Sequence, residues 1–411
     1  MSKARQATIT AVGAIGDIPA AAWDACAVPD AATYNPFVCH AFLKALEDSG
    51  CVGGRTGWLP QHLMLESAGG EVVGVAPAYA KTHSQGEYMF DHGWADAFER
   101  AGGRYYPKLQ LAVPFTPVPG PRLLVRPGPD ASSHELVLAD GAIALARQQK
   151  FSSTHITFLT EGEWQRLGAH GYLQRTGKQY HWANQGYCSF EHFLETFASR
   201  KRKAVRKERA QALSAGIEIE WVKGGDITEA HWDAFYEFYM DTGSRKWGRP
   251  YLNRQFFSVL GQTMADRCLL VLAKRPGATG GATGGGSGGR TIAGALNMIG
   301  GDCLYGRYWG AVEQHACLHF EVCYYQAIDF AIAHKLARVE AGAQGDHKLA
   351  RGYMPVATYS AHWIADTGLR RAIERFLEQE RQQMAEVRDV LGQAGPFKRG
   401  PGGGEEGEEQ D

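Results

Sequence analysis

Five side chains that carry charge or hydrogen-bond fall within twelve residues late in the chain: Glu340, Gln344, His347, Lys348 and Arg351, in the run VEAGAQGDHKLAR. On a strand, Glu340, Gly342 and Gln344 share one face. A carboxylate and an amide flanking a residue with no side chain leave a hollow floored by backbone, open to a ligand. A carboxylate there can take a proton from an attacking amine. A lysine beside it can hold the negative charge that grows on a carbonyl oxygen under attack. Glu340 is the first candidate base, with Glu321 and His347 behind it. Lys348, helped by backbone N–H groups near Gly345, is the candidate oxyanion donor, and Gln344 and Arg351 are candidate ligand contacts. An edge strand with a polar loop is the plainer alternative.

Glu321 lies in a helical run that is apolar almost all round, residues 318–336 (LHFEVCYYQAIDFAIAHKL). A carboxylate there must be paired or protonated, and Arg307, in the strand-like run LYGRYWG (304–310), is the expected partner. His315 and His319 could face together with Glu321, but no further well-spaced ligand accompanies them, so no metal site is expected.

A second cluster is cationic. Residues 200–209 (RKRKAVRKER) hold seven bases and one acid. On a helix spanning 190–214, Phe190, Phe193, Leu194, Phe197, Ala204 and Val205 form an apolar stripe, with Arg202, Lys203, Arg206, Lys207 and Arg209 on the opposite arc. Lys201 lands inside the stripe, where a solvated lysine does not belong. Uncompensated positive charge costs helix stability and suits phosphates on coenzyme A, a nucleotide sugar or a tRNA. A solvated face is the alternative. This cationic face and the Glu340 hollow are expected to converge on one cavity. In the first half, KTHSQ, EYMFDHGW, YYPKLQ and PFTP mix polar and aromatic residues in loops, as small-molecule sites do. Asp91, His92, Lys108 and Gln110 are the candidates there; turns packing on one another are the alternative.

The elements that must position these groups alternate between strand and helix, so the class is α/β or α+β with a mixed sheet. Strands are expected at 62–66, 72–79, 109–113, 155–159, 179–184, 217–222, 268–273, 291–298, 303–309 and 338–344. Helices are expected at 94–101, 136–149, 190–214, 231–242, 254–265, 318–336 and 369–391. EVVGVAPAY (71–79) and TIAGALNM (291–298) share an apolar-Gly-apolar pattern, which suggests two copies of one unit near 30–185 and 186–370. The glycine-rich stretch 276–290 and the acidic tail from 392 are expected to be disordered.

Composition sets the outer bounds. The 411 residues are 44% hydrophobic and 21% charged, and 43 bases against 44 acids give a net charge of −1. The protein is therefore no polyanion binder by bulk charge, and DNA is not an expected partner. Neither a membrane-spanning apolar run nor a secretory h-region is present. The eight cysteines show no C-x-x-C spacing and read as reduced thiols of a cytosolic protein. P-loop and H-E-x-x-H signatures are missing.

Several long stretches carry a resemblance: NPFVCHAFLKALEDSG (35–50), HSQGEYMFDHGWADAFERAGGRYYPKLQ (83–110), VPFTPVPGPRLL (113–124), SRKRKAVRKER (199–209), FYMDTGSRKWGRPYL (238–252), and the segments beginning HFEVCYYQAI and VEAGAQGDHK between 319 and 355. The sequence resembles the FemAB-like family of tandem GNAT-fold acyltransferases, in its bacterial branch labelled peptidoglycan biosynthesis or recognition. The resemblance implies two GNAT-like domains, 1–185 and 186–391, each a mixed sheet flanked by helices, followed by the tail 392–411. It implies transfer of an acyl or aminoacyl group from acyl-CoA or aminoacyl-tRNA to a small-molecule or peptide amine. No tightly bound cofactor is implied; tRNA is an implied partner, and the location is cytoplasmic. The basic helix matches a family feature, and Lys348 maps onto the family's lysine after the late strand. The pyrophosphate signature [QR]-x-x-G-x-[GA] is expected at Arg307-Tyr-Trp-Gly310-Ala-Val312, which ends in valine. A non-catalytic binding module for a cell-wall peptide or nucleotide-linked ligand is the alternative, and a tRNA-binding protein a third reading.

Overall fold

The computed structural model describes residues 7–247, 250–276, 289–343 and 345–398. Its strands are β1 (Thr8–Val12), β2 (Trp58–Pro60), β3 (His62–Glu66), β4 (Val72–Ala76), β5 (Ala78–Lys81), β6 (Lys108–Leu111), β7 (Leu124–Val125), β8 (Ser153–Leu159), β9 (Leu173–Ala183), β10 (Glu218–Lys223), β11 (Cys268–Arg275), β12 (Arg290–Ile299), β13 (Cys303–Ala311), β14 (Arg338–Glu340) and β15 (Met354–Ile364). A four-stranded sheet runs β1-β3-β4-β7. An eleven-stranded mixed sheet runs β10-β11-β12-β13-β14-β9-β15-β8-β6-β5-β2 and joins the two halves of the chain.

Two parallel contacts matter for the site. β6 pairs with β8, and β13 pairs with β14 through Cys303–Arg338, Leu304–Val339 and Tyr305–Glu340. Beyond those three pairs β13 and β14 diverge, because the chain leaves the sheet after Glu340. β15 lies between β8 and β9, antiparallel to both, so a C-terminal strand completes the sheet of the first half across position 185. Apolar clusters cover both faces; one runs from Trp23 and Phe42 to Phe256 and Tyr305, another from Phe193 to Tyr325 and Val339.

Several expected elements differ in form. The basic helix is two: Phe190–Glu195 and Ser199–Ala212. The Thr196 hydroxyl donates to the Phe193 carbonyl at 2.6 Å, and the Ala198 N–H, which a continuous helix would send back to residue 194, donates to the Pro396 carbonyl instead. The break rotates Lys201 out of the stripe into solvent, with Ala204, while Val205 stays buried. β14 stops at Glu340, and Gly342 turns with φ of +79°, so the expected strand face ends at Glu340. Residues 307–311 belong to β13, so the expected pyrophosphate signature lies within a strand and not in the turn that follows. The helix 318–333 contains a π-turn at Glu321–Tyr325. The last helix, Thr367–Gln393, is followed by an ordered segment: Phe397 bridges to Phe197, and the Lys398 N–H donates to the Thr196 carbonyl. The tail expected from 392 is therefore docked up to 398; residues 399–411, and most of the glycine-rich stretch (277–288), lie outside the described residues.

Candidate functional site

The bulge in β13 sets the geometry. Leu296 pairs with Tyr308 and Asn297 with Gly306, which leaves Arg307 as an extra residue between them. A bulge of this kind re-aims a side chain. Arg307 turns toward the first half of the chain, where its Nη2 donates to the Phe115 carbonyl at 2.8 Å, and the Tyr308 hydroxyl donates to the same oxygen at 3.3 Å. Arg307 does not pair with Glu321. That fully buried carboxylate takes both donors of a fork from Arg209, at 3.0 and 2.8 Å, and an amide from Gln326 at 2.7 Å. Arg209 also reaches Asp329 at 2.7 Å. Glu321 is thereby committed to a charge pair on the outer flank of helix 318–333, away from the other candidates.

Glu340 sits between its ladder partners Tyr305 on β13 and His181 on β9. Its nearest charged neighbour is Arg338, at 3.4 Å from Oε1, and His181 stands 3.9 Å from Oε2. Oε2 has no hydrogen-bond partner although it is buried. Burial pushes the carboxyl up to about 7, against the pull of Arg338 and Arg307. Lys348, on the turn Asp346–Arg351, is 2% exposed, and its Nζ donates to the Gly342 carbonyl at 3.0 Å. Burial draws its ammonium down to about 8, and Arg307 contributes further lowering.

Glu340, Lys348 and Arg307 thus gather where β13 and β14 separate. Arg307 lines a cavity of about 280 Å³ with Tyr88, Pro117, Tyr251, Tyr308 and Gly342; Glu340 and Lys348 are buried behind it, Lys348 held to the carbonyl of the lining residue Gly342. This hollow shares Arg307, Tyr308 and Trp309 with a second of about 150 Å³, and Tyr88, Phe90 and Ala343 with a third of about 370 Å³ that runs to Arg175, Lys178 and Tyr180. A fourth, at Glu313 and His315, shares Trp309 and His319 with the second. Neighbouring hollows thus share walls, and their lining residues come from both halves of the chain. Tyr88 and Phe158, which line these hollows, and Phe115, buried behind them, all hold φ near +58°, a conformation that costs a bulky residue on the order of 1–3 kcal/mol and that collects at ligand sites. Phe115 stacks on Tyr251 at 4.8 Å.

The remaining candidates fall elsewhere. His347 is exposed and hydrogen-bonds the Tyr324 hydroxyl at 2.9 Å. Arg351 lies over the Phe320 ring at 3.4 Å and donates to both oxygens of Glu208, so it ties the 346–351 turn to the basic helix. Gln344 lies outside the described residues. Lys201, Arg202, Lys203, Arg206 and Lys207 face solvent or its margin, and none of the four hollows is lined by them; the basic helix packs on the outside of helix 318–333 through Glu208 and Arg209. The expected convergence of the cationic face and the Glu340 carboxylate on one cavity is therefore not found among the described residues: neither lines any of the four hollows. The turn after β13 carries Glu313, which is paired with Arg275, Arg290 and His315.

Asp91, Lys108 and Gln110 are buried behind these hollows and do not line them. Lys108 Nζ bonds Glu87 at 2.8 Å, Asp91 at 2.5 Å and Ser84 at 2.8 Å. Burial alone would raise Asp91, but Lys108 and His155 hold it well below the usual carboxylate range. Gln110 donates to Thr157 at 2.9 Å, and His92 is exposed, stacked on Phe90. The ionic knot fixes the loop 83–91, whose other side presents Tyr88 and Phe90 to the hollows. Tyr88 and Phe115 lie in the stretches EYMFDHGW and PFTP that the sequence marks, without being singled out there. Sequence reasoning missed Tyr251, His181 and Asn297; of these Asn297 carried a readable signal, as one amide in the apolar run TIAGALNM.

Residues 14–399 match the FemAB-like family, described as peptidoglycan biosynthesis/recognition. No curated protein matches the chain. Among solved structures, FemX is similar with a TM-score of 0.54 at 14% identity, over 87% of this chain and 98% of that one. L-PGS from Bacillus licheniformis is similar with a TM-score of 0.48 at 10% identity, over 88% and 98%. A tandem GNAT protein from the clavulanic acid biosynthesis pathway gives 0.45 at 13%, over 88% and 99%. The fold is that of two GNAT-like units in tandem, with mixed sheets flanked by helices.

Proposed function

Because the chain belongs to the FemAB-like family, we propose that it is a transferase that moves an acyl or aminoacyl group from a thioester or ester donor to the nitrogen of an amine. The observation that carries this reading is the group at the β13–β14 divergence: a buried carboxylate with an unpartnered oxygen and a pKa of about 7, and a buried lysine, each within electrostatic reach of Arg307, which lines an aromatic hollow. The amine nitrogen attacks the donor carbonyl carbon and loses a proton to Glu340, whose pKa near neutrality suits a base. Negative charge on the carbonyl oxygen is met by Lys348 and Arg307, in a site from which much water is excluded. The carbon–sulfur or carbon–oxygen bond to the leaving group then breaks.

Of the two donors, the aminoacyl ester of tRNA suits the surface better than coenzyme A. The exposed Lys201, Lys203, Arg206 and Lys207 lie outside the hollows, where a long phosphate backbone can reach them. The acceptor is a small molecule or peptide bearing an amine. Purified protein incubated with acyl-CoA and charged-tRNA mixtures and a panel of amines, read by mass spectrometry, should yield an N-acylated product that Glu340→Gln removes. Ligand binding with no product from either donor would leave the binding-module reading in its place. Replacing Lys201, Lys203 and Lys207 by Ala should flatten the salt dependence of tRNA binding; unchanged salt dependence would detach the basic helix from the donor.

A further inference from the structure

The last helix, Thr367–Gln393, packs on β9 and β15 with a face that buries Ile373 and Leu377. Beside that face runs a second apolar row, which the fold leaves in water. Phe376, Val387 and Val390 are 46%, 40% and 66% exposed. At about 100° per residue these three fall within an arc of about 60°, together with the exposed Ala372 and Gln383. From 372 to 390 the row is about 27 Å long. The nearest charge on its inner side, Glu380, is already paired with Arg175. Apolar residues scattered singly over a surface are ordinary, but these are aligned.

The outer flank of the row is charged, in an order that does not suit a lone helix. Arg371 and Arg375 come first, and Glu386 and Asp389 last. All four are exposed and, among the described residues, make no ion pair. The first turn holds no acid and the last no base, so the order runs against the helix dipole, which favours acids at the start and bases at the end. Arg371 and Arg375 are also a like-charge pair four residues apart, which costs an isolated helix stability. A second copy of the helix running the other way reverses both penalties. A twofold axis perpendicular to the two helices sets each flank against its own copy, so the basic end of one meets the acidic end of the other.

We propose that the chain forms a reversible homodimer through this face, with the two last helices antiparallel about a twofold axis beside Arg381. In that register Phe376 meets Val387 of the partner subunit, and Ala372 meets Val390 of the partner subunit. On the flank, Arg375 faces Glu386 of the partner subunit, and Arg371 faces Asp389 of the partner subunit. The apolar and the charged contacts lie on different sides of the helix and call for the same axis, and symmetry makes each contact twice. The patch is one helix wide, short of the roughly 800 Å² per partner of a standard interface, so the expected Kd is on the order of 10 µM.

Sedimentation velocity on the full chain, at concentrations up to about 200 µM, tests this. Wild type should pass from monomer to dimer as concentration rises. Phe376→Asp should stay monomeric with its circular dichroism unchanged. Two charge variants test the register: Arg371→Glu with Arg375→Glu makes the flank wholly acidic, and Glu386→Lys with Asp389→Lys makes it wholly basic. Each alone should weaken self-association about tenfold or more, and an equimolar mixture of the two should form a heterodimer that added salt weakens. A wild-type chain that is monomeric throughout overturns the proposal, as does Phe376→Asp dimerising like wild type or a mixture of charge variants that stays monomeric. A monomer that binds phosphatidylglycerol vesicles and loses that binding in Phe376→Asp overturns it as well, because the row then has a lipid surface as its occupant.

Discussion

Replacing Lys348 by Met should make the protein more stable and inactive at once. The ammonium of Lys348 is 2% exposed, and burial moves its pKa from 10.5 to about 8. At neutral pH the folded chain keeps that charge at a cost of about 3 kcal/mol, using the conversion of 1.36 kcal/mol per pKa unit. Met fills the same volume without the charge. The change also removes the donor to the Gly342 carbonyl at 3.0 Å; a bond of this charged kind is worth about 1.5–3 kcal/mol, and water at the half-buried Gly342 replaces part of it. The net expectation is a stabilisation of about 1–2 kcal/mol below pH 8. Distributed over 411 residues, that raises the thermal midpoint by about 1–2 °C, with an unfolding entropy of roughly 2.1 cal/mol/K per residue. The sign follows from proton counts. Between pH 8 and 10.5 the unfolded chain holds a proton on Lys348 that the folded chain has released, so wild-type stability gains with rising pH from this group, and the variant has no such gain. The advantage of Lys348→Met should be full below pH 8 and fade by pH 10.5. Scanning calorimetry at pH 7 and pH 10, beside a transfer assay, reads both effects. A variant less stable than wild type at pH 7, a gap that does not shrink with pH, or retained turnover would each refute the role given to this lysine.

Turnover should rise through an apparent pKa near 7 as Glu340 loses its proton, and Glu340→Gln should abolish that limb along with activity; a pH–rate profile flat from 5 to 8 would exclude it as the base. Because the folded-state pKa of Glu340 is raised, this residue's contribution to stability falls as pH climbs from 4.5 to about 7, and Glu340→Gln should remove that slope in denaturation curves. Arg209→Met strands Glu321 in the core and should destabilise by about 3–5 kcal/mol, whereas Arg206→Met, which loses only an exposed pair with Glu191, should leave the melting temperature where it was. Lys108→Met leaves Glu87 and Asp91 buried without their shared cation; the expected result is loss of soluble protein, and a well-folded variant with normal melting would remove the knot from its role in fixing Tyr88.

Much of the architecture was legible because apolar periodicity reports burial. The paired strands at 62–66 and 72–76 and the helices near 92–100 and 254–263 follow from pattern alone, although Pro77 ends β4 earlier than the pattern suggests. β15 escaped: MPVATYSAHWI alternates weakly, since its polar residues Ser360 and His362 are buried in hydrogen bonds and not turned to water. Glu340 and Lys348 were visible as polar residues crowded around glycine, while the strand face they were meant to share was not, because Gly342 ends the extended run. The partner of Glu321 was misjudged for a related reason. Sequence places Arg209 on the solvent arc of one long helix, and only the break at Thr196–Ala198 swings it inward. Tyr88 and Phe115 fall in aromatic stretches that the sequence marks as a group; what singles them out is a backbone angle that exists only after folding.

The placement of β15 also constrains how the chain is made. Until residue 364 has left the ribosome, β8 and β9 expose two unpaired edges with a gap between them, the kind of surface on which chains aggregate. The first half must wait through most of synthesis for its missing strand, and a gene cut at its midpoint would encode two fragments, neither able to close its own sheet.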